Sequence, residues 1–191
     1  MRVALFGGTF DPIHRGHLAI AEAAADGFAL DKVLFAPVGR QPLKAGGTPT
    51  GFGDRLAMVR MACEGDGRFV ASEVDAPRAD WTPNYTIDTL QTLRWEMPDA
   101  TLFVLVGADS FLDLPRWRRP ERLVELADWI VVSRPGFSLP KSSLPEWVHL
   151  LNGVHEDVSA TVLRERLRLG ESCGDLVPTR VLRYIREHHL Y

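Results

Sequence analysis

Apolar positions in this chain fall into short unbroken runs, and these alternate with stretches of helical spacing. The first run, "RVALF" (Arg2–Phe6), meets Gly7-Gly8 and predicts a buried strand followed by a turn. In "HLAIAEAAADG" the residues Leu18, Ala21 and Ala25 share one helical face, alanine favours helix, and Gly27 is a natural stop. "KVLFAP" (Lys32–Pro37), "RFVAS", "TLFVLVG" (Thr101–Gly107), "DWIVVS" and the short "WVHLL" read as further strands. Helices are predicted between them. "DRLAMVRMACEG" sets Leu56, Val59 and Cys63 on one side, and "YTIDTLQTLRWEM" does the same with Leu90, Leu93 and Met97 before Pro98. "PERLVELA", "ATVLRERLRLG" and "TRVLRYIREHHL" complete the set, the last with Val181, Tyr184, Ile185 and His188 at helical spacing. Strands that are apolar throughout are buried on both faces. Their alternation with helices predicts an α/β protein with a doubly wound parallel sheet. No repeat or boundary breaks the pattern, so residues 1–191 read as one domain. Three long loops, residues 37–53, 73–84 and 133–146, have the length and the glycine or proline content of binding loops or lids.

Composition adds limits to this picture. With 46% hydrophobic and 25% charged residues, 191 residues can form a core without disulfide or metal staples. A net charge of −3 provides no basic field for a long nucleic acid, whereas a small anion needs only local donors. Cys63 and Cys173 lie far apart, lack metal-ligand spacing and read as free buried thiols. The apolar run after Met1-Arg2 is too short for a signal peptide, and no run approaches the ~18 apolar residues of a membrane span. The expectation is a soluble cytoplasmic protein with no membrane or nucleic-acid partner. Oligomeric state is not readable, and a homo-oligomer stays open.

In an open parallel sheet, ligands bind beyond the carboxyl ends of the strands. "LFGGTFDPIHRGHL" (Leu5–Leu18) lies at such an end. Gly7 and Gly8 allow a sharp turn and close approach of a ligand to backbone. A helix starting near Gly16 turns its free N–H groups and positive dipole end toward the loop. His14 and His17, three apart, share one side of its first turn. Imidazoles donate to phosphate oxygens, and an unperturbed pKa of about 6.5 leaves them partly cationic near neutrality. The segment is neither a G-x-G-x-x-G fingerprint nor a Walker A loop. A lone histidine is usually a packed or surface residue. Two at this spacing, between a strand with a glycine turn and a helix start, predict a phosphate site.

"GGTFDPIHRGHL" resembles the signature of the His-x-Gly-His nucleotidyltransferase superfamily, and "VSATVLR" (Val158–Arg164) resembles its Ile-Ser-Ser-Thr-x-x-Arg segment. "NYTIDTL" (Asn84–Leu90), "VGADSFLDLPRW" (Val106–Trp117) and the ending "VPTRVLRYIREHHLY" resemble bacterial nicotinate mononucleotide adenylyltransferases in particular. The likeness covers nearly the whole chain. It implies a Rossmann-like nucleotidyltransferase fold of three α/β/α layers. It also implies that His14, His17 and Arg164 act on the triphosphate, His17 nearest the α-phosphate. ATP would be held along Gly7, Gly8, Thr9, Phe10, Gly16, Lys44, Gly107, Asp109, Ser159 and Thr161. Thr86, Arg118 and the N–H groups near Trp117–Arg118 would receive the pyridine carboxylate, with the Trp117 ring on the pyridine. The residue types agree. Ser159 or Thr161 can cap a helix beginning near Ala160, and Arg164 one turn in offers a guanidinium fork. Asp109 follows a strand at its ligand end, where a carboxylate suits ribose hydroxyls or a metal-bound water. Trp117 stands among Arg116, Arg118 and Arg119. Trp81, Trp95, Trp129 and Trp147 read instead as core or loop-packing residues. Two positions depart from the family. Ala160 replaces a serine, and "QPLK" has Leu43 where the family often has histidine, leaving Lys44 as that loop's cation.

The implied reaction joins ATP to nicotinate mononucleotide, giving nicotinate adenine dinucleotide and pyrophosphate in NAD biosynthesis. The attacking phosphate oxygen is already anionic, so no general base is required. Mg²⁺ is expected on the triphosphate, held by phosphate oxygens and water, with no protein metal cage. Nicotinamide mononucleotide or phosphopantetheine are alternative acceptors, although Thr86 with Arg118 favours a carboxylate. A nucleotide sensor without transfer chemistry is a third reading, opposed by the presence of His14, His17 and Arg164.

Overall fold

The first strand, β1 (Arg2–Gly8), runs through the middle of a six-stranded sheet. A computed structural model describes residues 1–42, 48–133, 144–154 and 158–191. β1 pairs in parallel with β2 (Lys32–Pro37) on one side and β4 (Thr101–Gly107) on the other. β3 (Phe69–Ala71) lies outside β2, while β5 (Asp128–Val132) and β6 (Val148–Leu151) continue from β4. The order β3-β2-β1-β4-β5-β6 is parallel throughout, as the apolar runs predict. The chain builds outward from β1 in one direction and then returns to build in the other. A cleft therefore opens between the ends of β1 and β4.

Side chains alternate across the pleat, and the two faces gather separate cores. Ala4, Phe6, Val33, Phe35, Phe103, Leu105 and Ile130 face helices α1 (Arg15–Gly27), α2 (Phe52–Cys63), α6 (Ala160–Arg168) and α7 (Thr179–Glu187). Val3, Leu5, Leu34, Leu102, Val104, Trp129 and Val131 face α3 (Thr86–Glu96) and α5 (Pro120–Leu126). Ala21, Ala24 and Ala25 are small enough to bring α1 close to the sheet. On α7, Val181, Leu182 and Ile185 are buried. Tyr184 donates to Asp54 Oδ1 at 2.8 Å and stacks on His188. Both cysteines are free and buried. Among the described residues, no helix is long and apolar enough to cross a membrane.

Three features differ from the sequence pattern. β1 continues through Gly7 and Gly8, which pair with Ala36 and Pro37, so the turn begins later. A short helix α4 (Ala108–Leu112) and a 3₁₀ turn (Leu114–Arg116) occupy a stretch without clear periodicity. Trp129 is fully buried, but Trp81 and Trp95 are 71% and 83% exposed rather than packed.

Candidate active site

The chain reverses over Thr9–Pro12, immediately beyond β1. Phe10 adopts φ 48°, and the Asp11–Pro12 peptide is cis. The left-handed residue is thus Phe10, and the glycines serve space rather than the turn. A Cβ on Gly8 would meet the Phe10 ring at 2.9 Å, whereas one on Gly7 would meet nothing within 4 Å and would enter the cleft. Phe10 is buried, edge-on to Phe6 at 5.5 Å and to His17 at 5.0 Å.

His14 is the residue before α1, in extended conformation. Its backbone N–H donates to Nδ1 of His17 at 3.3 Å, and the two rings stack with centroids 3.6 Å apart. Because Nδ1 of His17 accepts, the neutral ring carries its proton on Nε2, which becomes the donor. The Arg15 and His17 amides of this helix start are taken by Leu176 O and His14 O, at 2.8 and 3.0 Å. Gly16 is buried, and its amide has no partner among the described residues. His14 is 6% exposed, and its Nδ1 is buried with no partner. Burial lowers its pKa to about 4, so at neutral pH it is uncharged and not partly cationic as its residue type alone suggests. An unpartnered buried ring nitrogen costs about 1–3 kcal/mol.

Arg164, one turn into α6, reaches this loop. Its Nη1 donates to the Asp11 carbonyl at 2.8 Å and its Nη2 to Thr161 Oγ1 at 3.3 Å. Ser159 holds the N-cap position, but its hydroxyl makes no capping bond. Its carbonyl accepts the Leu163 N–H at 2.9 Å. The expected hydroxyl cap at this helix is therefore absent, and Thr161 orients Arg164 instead.

A cleft of about 770 Å³ opens beside the glycines. Gly7, Gly8, Thr86, Asp109, Trp117 and Arg118 all line it, joining residues that are up to 111 positions apart in the chain. His14, His17 and Arg164 are not part of this wall and cluster at the turn leaving its Gly8 edge. Thr86 is the first residue of α3, where backbone donors are unpaired by the helix itself. The Arg118 guanidinium lies over the Tyr85 ring at 4.6 Å, beside Thr86. Trp117 is half-buried and edge-on to Trp129 at 5.7 Å, and its N–H is already bonded to Leu114 O at 3.0 Å. A Cβ on Gly107 would stand 2.7 Å from Asp109 Oδ1, so glycine there lets the carboxylate fold back over the end of β4. Lys44 and Leu43 lie outside the described residues.

Several contributors were not legible in the sequence. Asp75 lines the cleft and accepts from Thr89 Oγ1 at 2.9 Å, and burial pushes its carboxyl pKa up. Asn84 pins the loop after β2 through the Arg40 N–H, at 2.9 Å, and the Ala76 carbonyl, at 2.8 Å. Arg55 is 1% exposed and donates to the carbonyls of Thr9, Val38 and Thr50 at 2.7, 2.9 and 3.2 Å. Its charge is balanced by nearby Asp11. A polar residue inside an otherwise apolar helix stripe is the only local signal for Arg55. Asp75 had none.

The cytidylyltransferase-like family profile matches residues 5–166. A protein from Leifsonia xyli subsp. xyli named probable nicotinate-nucleotide adenylyltransferase is 44% identical over all of this chain and 94% of its own length. One of the same name from Roseiflexus sp. is 42% identical, covering 99% of this chain and 97% of its own. In fold, the chain matches Plasmodium falciparum nicotinic acid mononucleotide adenylyltransferase complexed with NaAD. The TM-score is 0.81 at 20% identity, over 100% of this chain and 97% of that one. With the profile spanning most of its length and relatives this similar end to end, the chain belongs to the cytidylyltransferase-like family of nucleotidyltransferases and groups there with the nicotinate-nucleotide adenylyltransferases.

Proposed function

We propose that this chain transfers the adenylyl group of ATP, taken as its Mg²⁺ complex, to the phosphate of nicotinate mononucleotide, releasing pyrophosphate. The observation that carries this reading is the stacked His14–His17 pair, joined by Arg164 through Asp11, next to a cleft walled by Thr86, Trp117 and Arg118.

The acceptor phosphate is anionic at neutral pH, so the protein's task is to place two anions in line and spread the charge that gathers on the α-phosphate. His17 Nε2–H is a donor whose direction is set from the other ring nitrogen by the His14 amide. His14 supplies a second, uncharged donor that can take a proton as phosphate approaches. Arg164 supplies permanent charge, anchored at Nη1 by the Asp11 carbonyl and at Nη2 by the Thr161 hydroxyl. Gly7 leaves backbone open to the ligand. Asp109, at the end of β4, suits the ribose hydroxyls of ATP.

On the acceptor side, Trp117 offers a ring to stack on the pyridine. Thr86, the first amides of α3 and Arg118 provide donors for a carboxylate. A carboxamide would use that charge less well. The test compares initial rates with the acid and amide mononucleotides under identical ATP and Mg²⁺. The acid should be preferred by roughly 10- to 100-fold, the value of one charge-assisted contact. Equal rates would remove the assignment of this subsite, and no pyrophosphate from either would remove the reaction.

A further inference from the structure

The residue at the turn before the histidines is tied to a part of the chain with no assigned part in the reaction. Asp11 is 2% exposed and three positions before His14. Its Oδ1 accepts the hydroxyl of Tyr191 and its Oδ2 the Thr50 N–H, at 2.5 and 3.3 Å. Its carbonyl accepts Arg164 Nη1. One residue thus receives three donors from three separate segments, and one of them is the arginine placed on the triphosphate. Thr50 is fixed in turn, because Arg55 holds both Thr50 O and Thr9 O.

We propose that Tyr191 is a positioning residue for adenylyl transfer, acting through Asp11 to set the turn that carries His14 and His17 and seats Arg164; this rests on the reaction proposed above. The geometry separates this role from simple packing. The Tyr191 ring packs against the core cluster that holds Phe10 and Ile13, while its hydroxyl meets the Asp11 carboxylate and the Thr50 side chain. Burial and the Asp11 bond hold the phenol protonated well above its ordinary range, so it is a donor at any working pH. With that donor gone, Asp11 Oδ1 is a buried acceptor with nothing in its place. The turn must then shift to find another partner, and the Asp11 carbonyl moves with it. A displacement of about 1 Å at such a distance from the chemistry can lower turnover by up to 10²-fold. The acceptor subsite at Thr86, Trp117 and Arg118 is built on other elements and should not respond.

The experiment uses the full chain with Tyr191→Phe, Asp11→Ala and the double variant, assayed well below each unfolding midpoint. Wild-type pyrophosphate release with ATP and nicotinate mononucleotide is measured first, since its absence would overturn the reaction rather than this role. Tyr191→Phe should lower kcat roughly 10- to 100-fold while KM for the mononucleotide stays within about twofold. The double variant should be no worse than the poorer single one, because both remove the same link. Wild-type kcat in Tyr191→Phe, losses that multiply in the double variant, or a Tyr191→Phe chain that does not fold would each overturn the proposal. The last outcome would make the bond a structural one.

Discussion

The imidazole of His17 takes the backbone N–H of His14 on its Nδ1, while the His14 ring lies flat against it. The peptide that links strand to helix thereby sets the tautomer of the neutral His17 ring, with the proton on Nε2. His17→Ala removes that donor. We expect kcat to fall by roughly 10²-fold or more, the usual loss for one preorganised donor. Steady-state pyrophosphate release measures it, and a near wild-type rate would end the assignment.

Folding keeps His14 neutral, with its pKa at about 4 against the ordinary 6.5. Between those values the unfolded chain binds a proton that the folded chain refuses. Stability from this residue is therefore complete above about pH 6.5 and declines as pH falls toward 4, by on the order of 3 kcal/mol. Urea midpoints across this window should slope more steeply in wild type than in His14→Gln. Parallel slopes would contradict the burial. Saturating pyrophosphate should raise the His14 titration midpoint, which NMR of the ring carbons can follow.

Trp117→Ala should raise KM for the mononucleotide severalfold and leave KM for ATP nearly unchanged. The Trp117 ring lies on the cleft wall with Arg118 and Thr86, while the two histidines and Arg164 stand at the turn. A change confined to the ATP constant would reverse the two subsites.

Two glycines should separate folding from binding. A Cβ on Gly39 would lie 2.4 Å from the Pro77 nitrogen, a backbone atom that cannot step aside. Gly39→Ala should cost about 1–3 kcal/mol by denaturant titration. Gly7→Ala meets no protein atom within 4 Å, so its unfolding midpoint should stay close to wild type while ATP binding weakens. The opposite pattern would mean that Gly7 serves packing and not the ligand.

Arg55→Met should be among the most damaging single changes, at about 3 kcal/mol or more. It removes a donor from the carbonyls of Thr9, Val38 and Thr50, of which Thr50 O keeps the Thr48 hydroxyl, and leaves Asp11 without its counter-charge. Thermal unfolding would show it, and a loss below about 1 kcal/mol would mean that the carbonyls find other donors.

The sheet was readable because unbroken apolar runs such as Leu102–Val106 have only one comfortable place, a parallel sheet covered on both faces. The first loop was readable because His14, Gly16 and His17 are close in sequence. What escaped was tertiary. Gly7 and Gly8 looked like a turn, since local propensity cannot show that Ala36 and Pro37 pair with them. The neutral state of His14 depends on burial by elements far along the chain. Ser159 and Thr161 were placed correctly at the helix start, but which hydroxyl is used depends on where Arg164 is drawn. Nothing around Asp11 in the sequence points to Tyr191, 180 positions away.

The partners of Asp11 stand 39, 153 and 180 positions away in sequence. Closing loops of that length is entropically slow, and such contacts tend to form late. Sheet and helices can form before this junction exists, but the triphosphate site cannot. During refolding, catalytic competence should therefore lag behind helical signal. A chain that has its sheet but not yet this junction should transfer adenylyl slowly, as Tyr191→Phe is expected to do. Full activity should therefore arrive with the last long-range contacts of the fold.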